Sequence, residues 1–317
     1  MIEAQVYVKV LDSAGVEYEF DVVSLVWKST KSAGASSVEV CIPNQSTFVK
    51  NGQKVKVYVD KTLIFEGYIF YVQNDNFTQN FKAYDSLRYL MYKDEKVFQN
   101  KTATQIINEI LSERKLKSGQ IENTSYVLER TVYIGTSLLD MIYQSLEKTY
   151  KATGKNYSFY DDCGKLCLKN IHNAKSNVIL ESSTNIIECI VTKEIDSDTY
   201  NYVKLYQEDG RKGYRSVKVV KDEQSSSQYG VLGYFERVDS TLNDAQVLQK
   251  ANSILKEKNR QVEKLSLSCI GDTSCRAGMC VTVKETLQGI DGVFLIQSAT
   301  HKIDSNGYRM ELELKAV

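Results

Sequence analysis

Apolar and polar residues alternate with period two along much of the chain. The pattern is plain at Val6, Val8 and Val10, at Val55 and Val57, at Val281 and Val283, and at Met310, Leu312 and Leu314. Successive side chains of a strand point to opposite faces, so this period predicts half-buried strands. Turn residues separate the runs: Asp12-Ser-Ala-Gly15, Asp60-Lys-Thr, Asn74-Asp-Asn76 and Asp304-Ser-Asn-Gly307. These punctuate hairpins. Residues 1–97 read as β almost throughout, starting from a strand over Met1–Val10. Lys31–Ser37 reads as a small-residue loop, and Pro43-Asn44 stops the strand Val38–Ile42. Asp85–Met91 breaks the alternation and predicts a single helical turn.

A helical period replaces the strand period in three places. Thr102-Ala-Thr-Gln105 has capping-box spacing. Ala103, Ile106, Ile107, Ile110 and Leu111 then form one stripe. Arg114, Lys115 and Lys117 follow where the helix dipole favours cations, and Gly119 is expected to close the helix. A second helix is predicted from Thr136-Ser137 to Gly154, with Leu139, Ile142, Tyr143, Leu146 and Tyr150 inward. Tyr157–Tyr160, the turn Asp161–Gly164 and Lys165–Lys169 make a hairpin. Further on, Ile186–Ile195 and Tyr202–Tyr206 read as strands, and Lys212-Gly213 and Asp222–Tyr229 as loops. The second loop carries Ser225–Ser227 and is expected to have a mobile tip. A third helix follows Ser240–Asp244, with Ala245, Leu248, Ala251 and Leu255 on one face and Lys256, Lys258 and Arg260 at its end. The fold class is α+β, mainly β. The expected segments are 1–97, a β-domain; 98–185, a small α+β domain; and 186–317, a second β-domain with one helix.

One β-phrase occurs twice. Gly52-Gln-Lys-Val55-Lys-Val57 matches Gly278-Met-Cys-Val281-Thr-Val283, and Gly67-Tyr-Ile-Phe-Tyr matches Gly292-Val-Phe-Leu-Ile. The shared order and near-equal spacing predict one β-unit used twice, with Gly67 and Gly292 in equivalent places. Two units are too few for a solenoid.

At 317 residues and 42% apolar, the chain can fill two or three cores. Its 40 basic and 40 acidic residues cancel, so charge offers no general argument for nucleic acid or for an anionic membrane. The 21 tyrosines suit half-exposed strand faces and interfaces. No apolar run approaches a membrane span. The first residues lack the basic and apolar regions of a signal peptide. Synthesis in the cytosol is expected, and with it reduced, buried thiols for Cys41, Cys163, Cys167, Cys189, Cys269, Cys275 and Cys280.

Candidate chemistry is thin. Cys275-x4-Cys280 with His301 lacks the tight paired spacing and fourth ligand of a structural zinc site. Cys163-x3-Cys167 is not a C-x-x-C redox pair. Asp161-Asp162 sits in a turn, where adjacent side chains diverge, and no partner group for acid–base work lies nearby. His172 and His301 have no metal-spaced partner. No phosphate loop, nucleophile elbow or H-E-x-x-H is present. The basic end Lys256–Arg260 lacks interleaved aromatics for single-strand binding. The residues predict no catalysis, no cofactor and no metal, and point to an interaction or structural protein.

The order of these pieces resembles the tail hub family of contractile phage tails and related injection particles. That group includes the late-control D proteins and the hubs of prophage-derived tail-like bacteriocins. The resemblance rests on Gly52-x-x-Val-x-Val57, Gly67-Tyr-Ile, Ala83-Tyr-Asp85, Thr104–Ile110, Asn201–Tyr206, Gly278-x-x-Val-x-Val283 and Gly292–Ile296, with His301 in the strand–turn region that follows. It covers essentially the whole chain.

The resemblance implies two tube-protein-like β-barrels flanking the small α+β domain. It also implies a homotrimer whose six barrels match a six-fold tail tube on one side and a three-fold spike on the other. The implied partners are further copies of the chain, the tail tube protein, a spike or tip protein and other baseplate proteins. DNA would pass through the lumen without specific binding. Such a protein is made in the bacterial cytoplasm and assembled into a baseplate. Larger relatives carry peptidoglycan-cleaving modules, for which the residues before Val317 are expected to leave no room. Gly52, Gly67, Gly278 and Gly292 are the expected structural glycines. Tyr68, Tyr71 and Tyr84 in the first unit, and Tyr202 and Tyr206 in the second, are the expected interface. Two rivals remain: a cell-wall hydrolase, which needs paired carboxylates or a Cys/His site, and a stand-alone binding β-module, which would be monomeric.

Overall fold

The protein is described here by a computed structural model covering residues 4–44, 49–209 and 214–317. The N-terminal alternation folds into β1 (Val6–Leu11), β2 (Glu17–Asp21), β3 (Ser24–Thr30), β4 (Ser37–Pro43), β5 (Lys54–Val59), β6 (Thr62–Asn74) and β7 (Thr78–Tyr84). They lie in the order β3-β4-β7-β6-β5-β1-β2, each neighbour antiparallel. Their inward residues, among them Val8, Phe20, Trp27, Val40, Val57 and Phe81, close a single core. Residues 1–3 of the expected first strand lie outside the described residues.

Asp85 caps a 3-10 turn at Ser86–Leu90, whose Leu87 and Leu90 pack into the core of the α+β segment. That segment contains β8 (Lys93–Phe98), β9 (Lys101–Thr102), α1 (Ala103–Glu113), β10 (Ser118–Ile121), β11 (Val127–Leu128), β12 (Thr131–Ser137), α2 (Leu138–Thr153), β13 (Tyr157–Asp161) and β14 (Leu166–Asn170). Thr102 and Gln105 form the full capping box of α1. Ser137 caps the start of α2, and Gly154 ends it at a left-handed φ of 71°. The predicted stripe of α1 and Leu139, Ile142, Tyr143 and Leu146 of α2 bury against one another and against Phe98, Tyr133, Phe159 and Leu168, whereas Tyr150, expected inward, is exposed. Gly119 is not the terminator of α1. That helix ends at Arg114, and Gly119 lies in β10, where a Cβ would fall on the Cys167 sulfur.

The remaining elements are β15 (Lys175–Glu181), β16 (Ile186–Glu194), β17 (Tyr202–Asp209), β18 (Tyr214–Lys221), α3 (Glu223–Tyr229), β19 (Gly233–Val238), α4 (Asp244–Lys258), β20 (Val262–Ile270), β21 (Cys280–Glu285), β22 (Ile290–Asp304) and β23 (Gly307–Ala316). The expected third domain, 186–317, is not one unit. The chain divides into Met1–Ile190 with Leu265–Val317, and Val191–Lys264. The reason lies in the pairing. β15, β16, β20, β21, β22 and β23 all belong to the same sheet as β1–β7, joined through antiparallel pairing of β22 with β3.

Val191–Lys264 builds its own sheet, β18-β17-β19, with β17 and β19 parallel. Val203, Leu205, Val238, Val247 and Ala251 form its core. Ala245 and Leu248, expected inward, are exposed, and Val247 takes their place beside Ala251. Asp222–Tyr229 is not a loop, because the Asp222 side chain accepts from the Ser225 amide and starts α3. Lys212-Gly213 lies outside the described residues.

Candidate assembly surfaces

The repeat in the sequence is a repeat of strand order. β3-β4-β7-β6-β5 and β16-β20-β23-β22-β21 run in the same succession. Gly52 and Gly278 each adopt φ of 85°, a left-handed value that favours glycine. The Gly52 amide donates to the Ile69 carbonyl at 2.7 Å, and the Gly278 amide to the Ile296 carbonyl at 2.8 Å. Both isoleucines immediately precede a register shift against the next strand, at Ile69/Tyr71 and at Ile296/Ser298. Ile69 and Ile296 are therefore counterparts, and so are Tyr71 and Ser298.

This register separates the other two glycines. Gly67 pairs with Val55, whereas the partner of Val281, the counterpart of Val55, is Phe294. Gly292 pairs with Val283 and corresponds to Phe65. The sequence match was two residues out along an equivalent strand. The environments differ accordingly. A Cβ on Gly67 would fall on the Tyr84 carbonyl oxygen and 2.8 Å from the Phe65 ring, whereas one on Gly292 meets only Phe294, at 3.6 Å. Gly67 is a close-approach glycine and Gly292 is not.

The two copies meet where β3 lies along β22, with Trp27 opposite His301. Their rings stack at 4.6 Å between centroids. The His301 Nε2 lies 2.8 Å from the Cys275 carbonyl oxygen, which can only accept, so Nε2 carries the proton. The neutral Nδ1 then accepts from the Tyr308 hydroxyl at 2.9 Å. Burial pushes the imidazole down to about 4. His301 is thus a buried, fully bonded residue at the join of the copies. Tyr308 lies just across the β22–β23 hairpin, whereas Trp27 comes from a strand far off in the chain, and local spacing carries no sign of that contact.

Of the expected interface tyrosines, Tyr68 and Tyr84 stand directly opposite on β6 and β7. They belong to an aromatic group that the sequence reading named only in part. Tyr89 sits edge-on to Tyr68, Phe70 edge-on to Tyr84, and the Arg88 guanidinium lies 5.5 Å over Phe70. Tyr71 is exposed and donates to Gln73 at 2.8 Å. Tyr202 and Tyr206 are not in the second copy of the five-stranded unit. Both are half-buried on β17 in the Val191–Lys264 unit, and Tyr206 stacks on the exposed Phe235. They alternate with the buried Val203 and Leu205, and so occupy the opposite face of that sheet.

Polar chemistry is buried rather than displayed. Asp85 accepts from the Ser36 and Leu87 amides, both at 3.0 Å, and Asp161 accepts from the Ser86 amide at 3.1 Å and from Gly164. Burial first, and then the nearby Asp161 charge, push Asp85 up to about 8; Asp161 is raised too, mainly by burial. These carboxylates hold the 3-10 turn and the β13–β14 turn against the first β-unit, with their acceptor oxygens taken by backbone. Asp162 turns away to Arg276, at 3.1 Å. Burial pushes the Cys269 and Cys275 thiols up to about 12, far from a reactive thiolate. Among the described residues no three His, Cys, Asp or Glu side chains cluster as metal ligands, and no helix is long and apolar enough to cross a membrane.

Comparison with known proteins places this architecture. The profile of the YQBQ-like family matches residues 25–315. The phage-like element PBSX protein XkdQ of Bacillus subtilis (strain 168) is 30% identical over 254 residues, spanning 79% of this chain and 77% of XkdQ. The fold is shared with solved tail proteins. That of Neisseria meningitidis MC58 superposes with a TM-score of 0.71 at 16% identity, over 99% of this chain and 96% of the other. The 43 kDa tail protein of prophage MuSo2 from Shewanella oneidensis superposes at 0.70 with 14% identity, over 100% and 98%. With the family profile running from β3 into β23, and so through both copies of the five-stranded unit, this chain is a member of the YQBQ-like family.

Proposed function

We propose that this protein is the structural baseplate hub of a contractile phage tail or tail-like injection particle. In this reading it is a homotrimer that adapts a six-fold tail tube to a three-fold spike. The observation that carries the reading is the doubled five-stranded unit. Each copy, with its flanking strands, is read as a tube-protein-like barrel, so three chains present six such units about one axis. A ring of six meets the tube on one side, and its true three-fold symmetry meets a spike or tip protein on the other. Further baseplate proteins dock around it, and DNA, where the particle carries any, passes without specific binding. The origin of XkdQ in a phage-like element and the fold shared with tail proteins support the same reading. The chain is made in the bacterial cytoplasm and assembled into the particle, and its role is structural rather than enzymatic.

Counting copies in assembled particles, by electron microscopy or by cross-linking and mass measurement, tests this reading. Three copies per axis are expected; six or one would defeat it. Cleavage of cell walls by the purified protein in a zymogram would replace it with the hydrolase reading. A monomer that never enters a particle would replace it with a stand-alone binding module.

A further inference from the structure

β22 carries two partners along one edge. Residues 290–295 pair with β21, and beyond the bulge residues 298–303 pair with β3. The Lys31 amide donates to the Gln297 carbonyl at 2.9 Å, between these two stretches. β6 is the counterpart of β22. Its residues 62–68 pair with β5, as β22 pairs with β21. Residues 71–74 correspond to 298–301, yet among the described residues no strand pairs with their outer edge. β16 is the counterpart of β3 and, among the described residues, ends the sheet with one edge unpaired. Each chain therefore has one filled slot, β3 against β22, and one empty slot and one free strand of the same two kinds.

From this we propose that the outer edge of β6 at Tyr71–Asn74 pairs with β16, at Ile186–Ile190, of a second copy of this chain. The contact repeats between chains the join that β3 and β22 make within one. It deepens the hub reading by naming the two edges that would close its ring. It is head-to-tail, since a different edge is used on each partner, so it excludes a two-fold dimer and closes into a ring when its rotation matches the three-fold axis of the hub reading. The exposed side chains fit such a contact. Tyr71 is 54% exposed, Ile187 55% and Ile190 49%. Apolar side chains on an unpaired edge invite aggregation unless another strand covers them. Strand addition supplies main-chain hydrogen bonds as affinity, with the alternate side chains giving specificity.

Backbone hydrogen exchange on the purified full-length protein, followed from dilute to concentrated solution alongside native mass measurement, tests the pairing. The amides of 71–74 and 186–190 should gain protection together as the ring forms. Tyr71→Lys, and separately Ile187→Lys with Ile190→Lys, should each weaken association by at least about tenfold while leaving the thermal midpoint of the monomer in place. A trimer in which both segments exchange unchanged would overturn the pairing and leave the hub reading standing. A two-fold dimer, or a chain monomeric at every concentration, would also overturn the pairing, while the copy number in particles decides the hub reading separately.

Discussion

Gly52 and Gly278 are the same structural residue occurring twice. Both turn the backbone through φ of 85°, and both donate to an isoleucine carbonyl at the bulge of the facing strand. The shared turn matters because it sets where β5 and β21 leave the edges of β6 and β22. Beyond that point β22 is free to take β3.

Alanine at Gly52 should cost about 1–3 kcal/mol, from left-handed strain alone, since a Cβ there meets nothing within 4 Å. Alanine at Gly278 should cost more, because its methyl group would fall on the buried Ser158 hydroxyl. Urea denaturation should rank Gly278→Ala below Gly52→Ala, and adding Ser158→Ala should restore part of the difference. Equal losses at the two sites would contradict the packing described.

Gly67 and Gly292 should respond differently although both lie in equivalent strands. Gly67→Ala drives a methyl group onto the Tyr84 carbonyl and the Phe65 ring, an overpacking worth about 1–3 kcal/mol. Gly292→Ala has room, and should stay within about 0.5 kcal/mol of the parent. Denaturant midpoints measured side by side decide this.

Asp85 should make stability fall as pH rises towards about 8, most plainly above about 6.5, where His301, which acts in the opposite sense, is neutral in both folded and unfolded chains. Asp85 is raised to about 8 in the folded protein, against roughly 4 in an unfolded chain. Between those values the folded form holds the extra proton. The stabilisation is complete below about 4 and is lost as pH climbs through the window. Asp85→Asn should flatten this dependence in urea midpoints taken from mildly acidic to alkaline pH. A parent protein whose stability instead rises over the upper half of that range would refute the assignment.

His301 acts in the opposite sense. With its folded value lowered to about 4, the unfolded chain binds the proton first as pH drops below about 6.5. Its contribution is present at neutral pH and is lost on acidification. In nitrogen-detected NMR the ring should remain neutral, with the proton on Nε2, through the range where an ordinary histidine titrates. Titration of His301 near 6.5 would contradict its buried position between Trp27 and the Cys275 carbonyl.

Local patterns settled much of the molecule in advance. The caps at Thr102, Ser137 and Gly154, the stripe from Ala103 to Leu111, and the alternation at Val55–Val57 and Val281–Val283 depend on neighbours a few residues away. They are legible without a fold. The repeated glycine phrase was legible too, but its register was not. A period of two cannot tell Gly292 from Phe294 as the counterpart of Gly67, because both point to one face; the bulges at Ile69 and Ile296 decide it. Tertiary structure alone could separate Tyr202 and Tyr206 from the second copy, since β17 looks locally like any other strand and its partner β19 returns to it only through a crossover. It alone could join Trp27 to His301 and Asp85 to Asp161. Those pairs are made by strand pairing and by burial between segments far apart in the chain, and no short-range pattern of residues encodes a contact of that range.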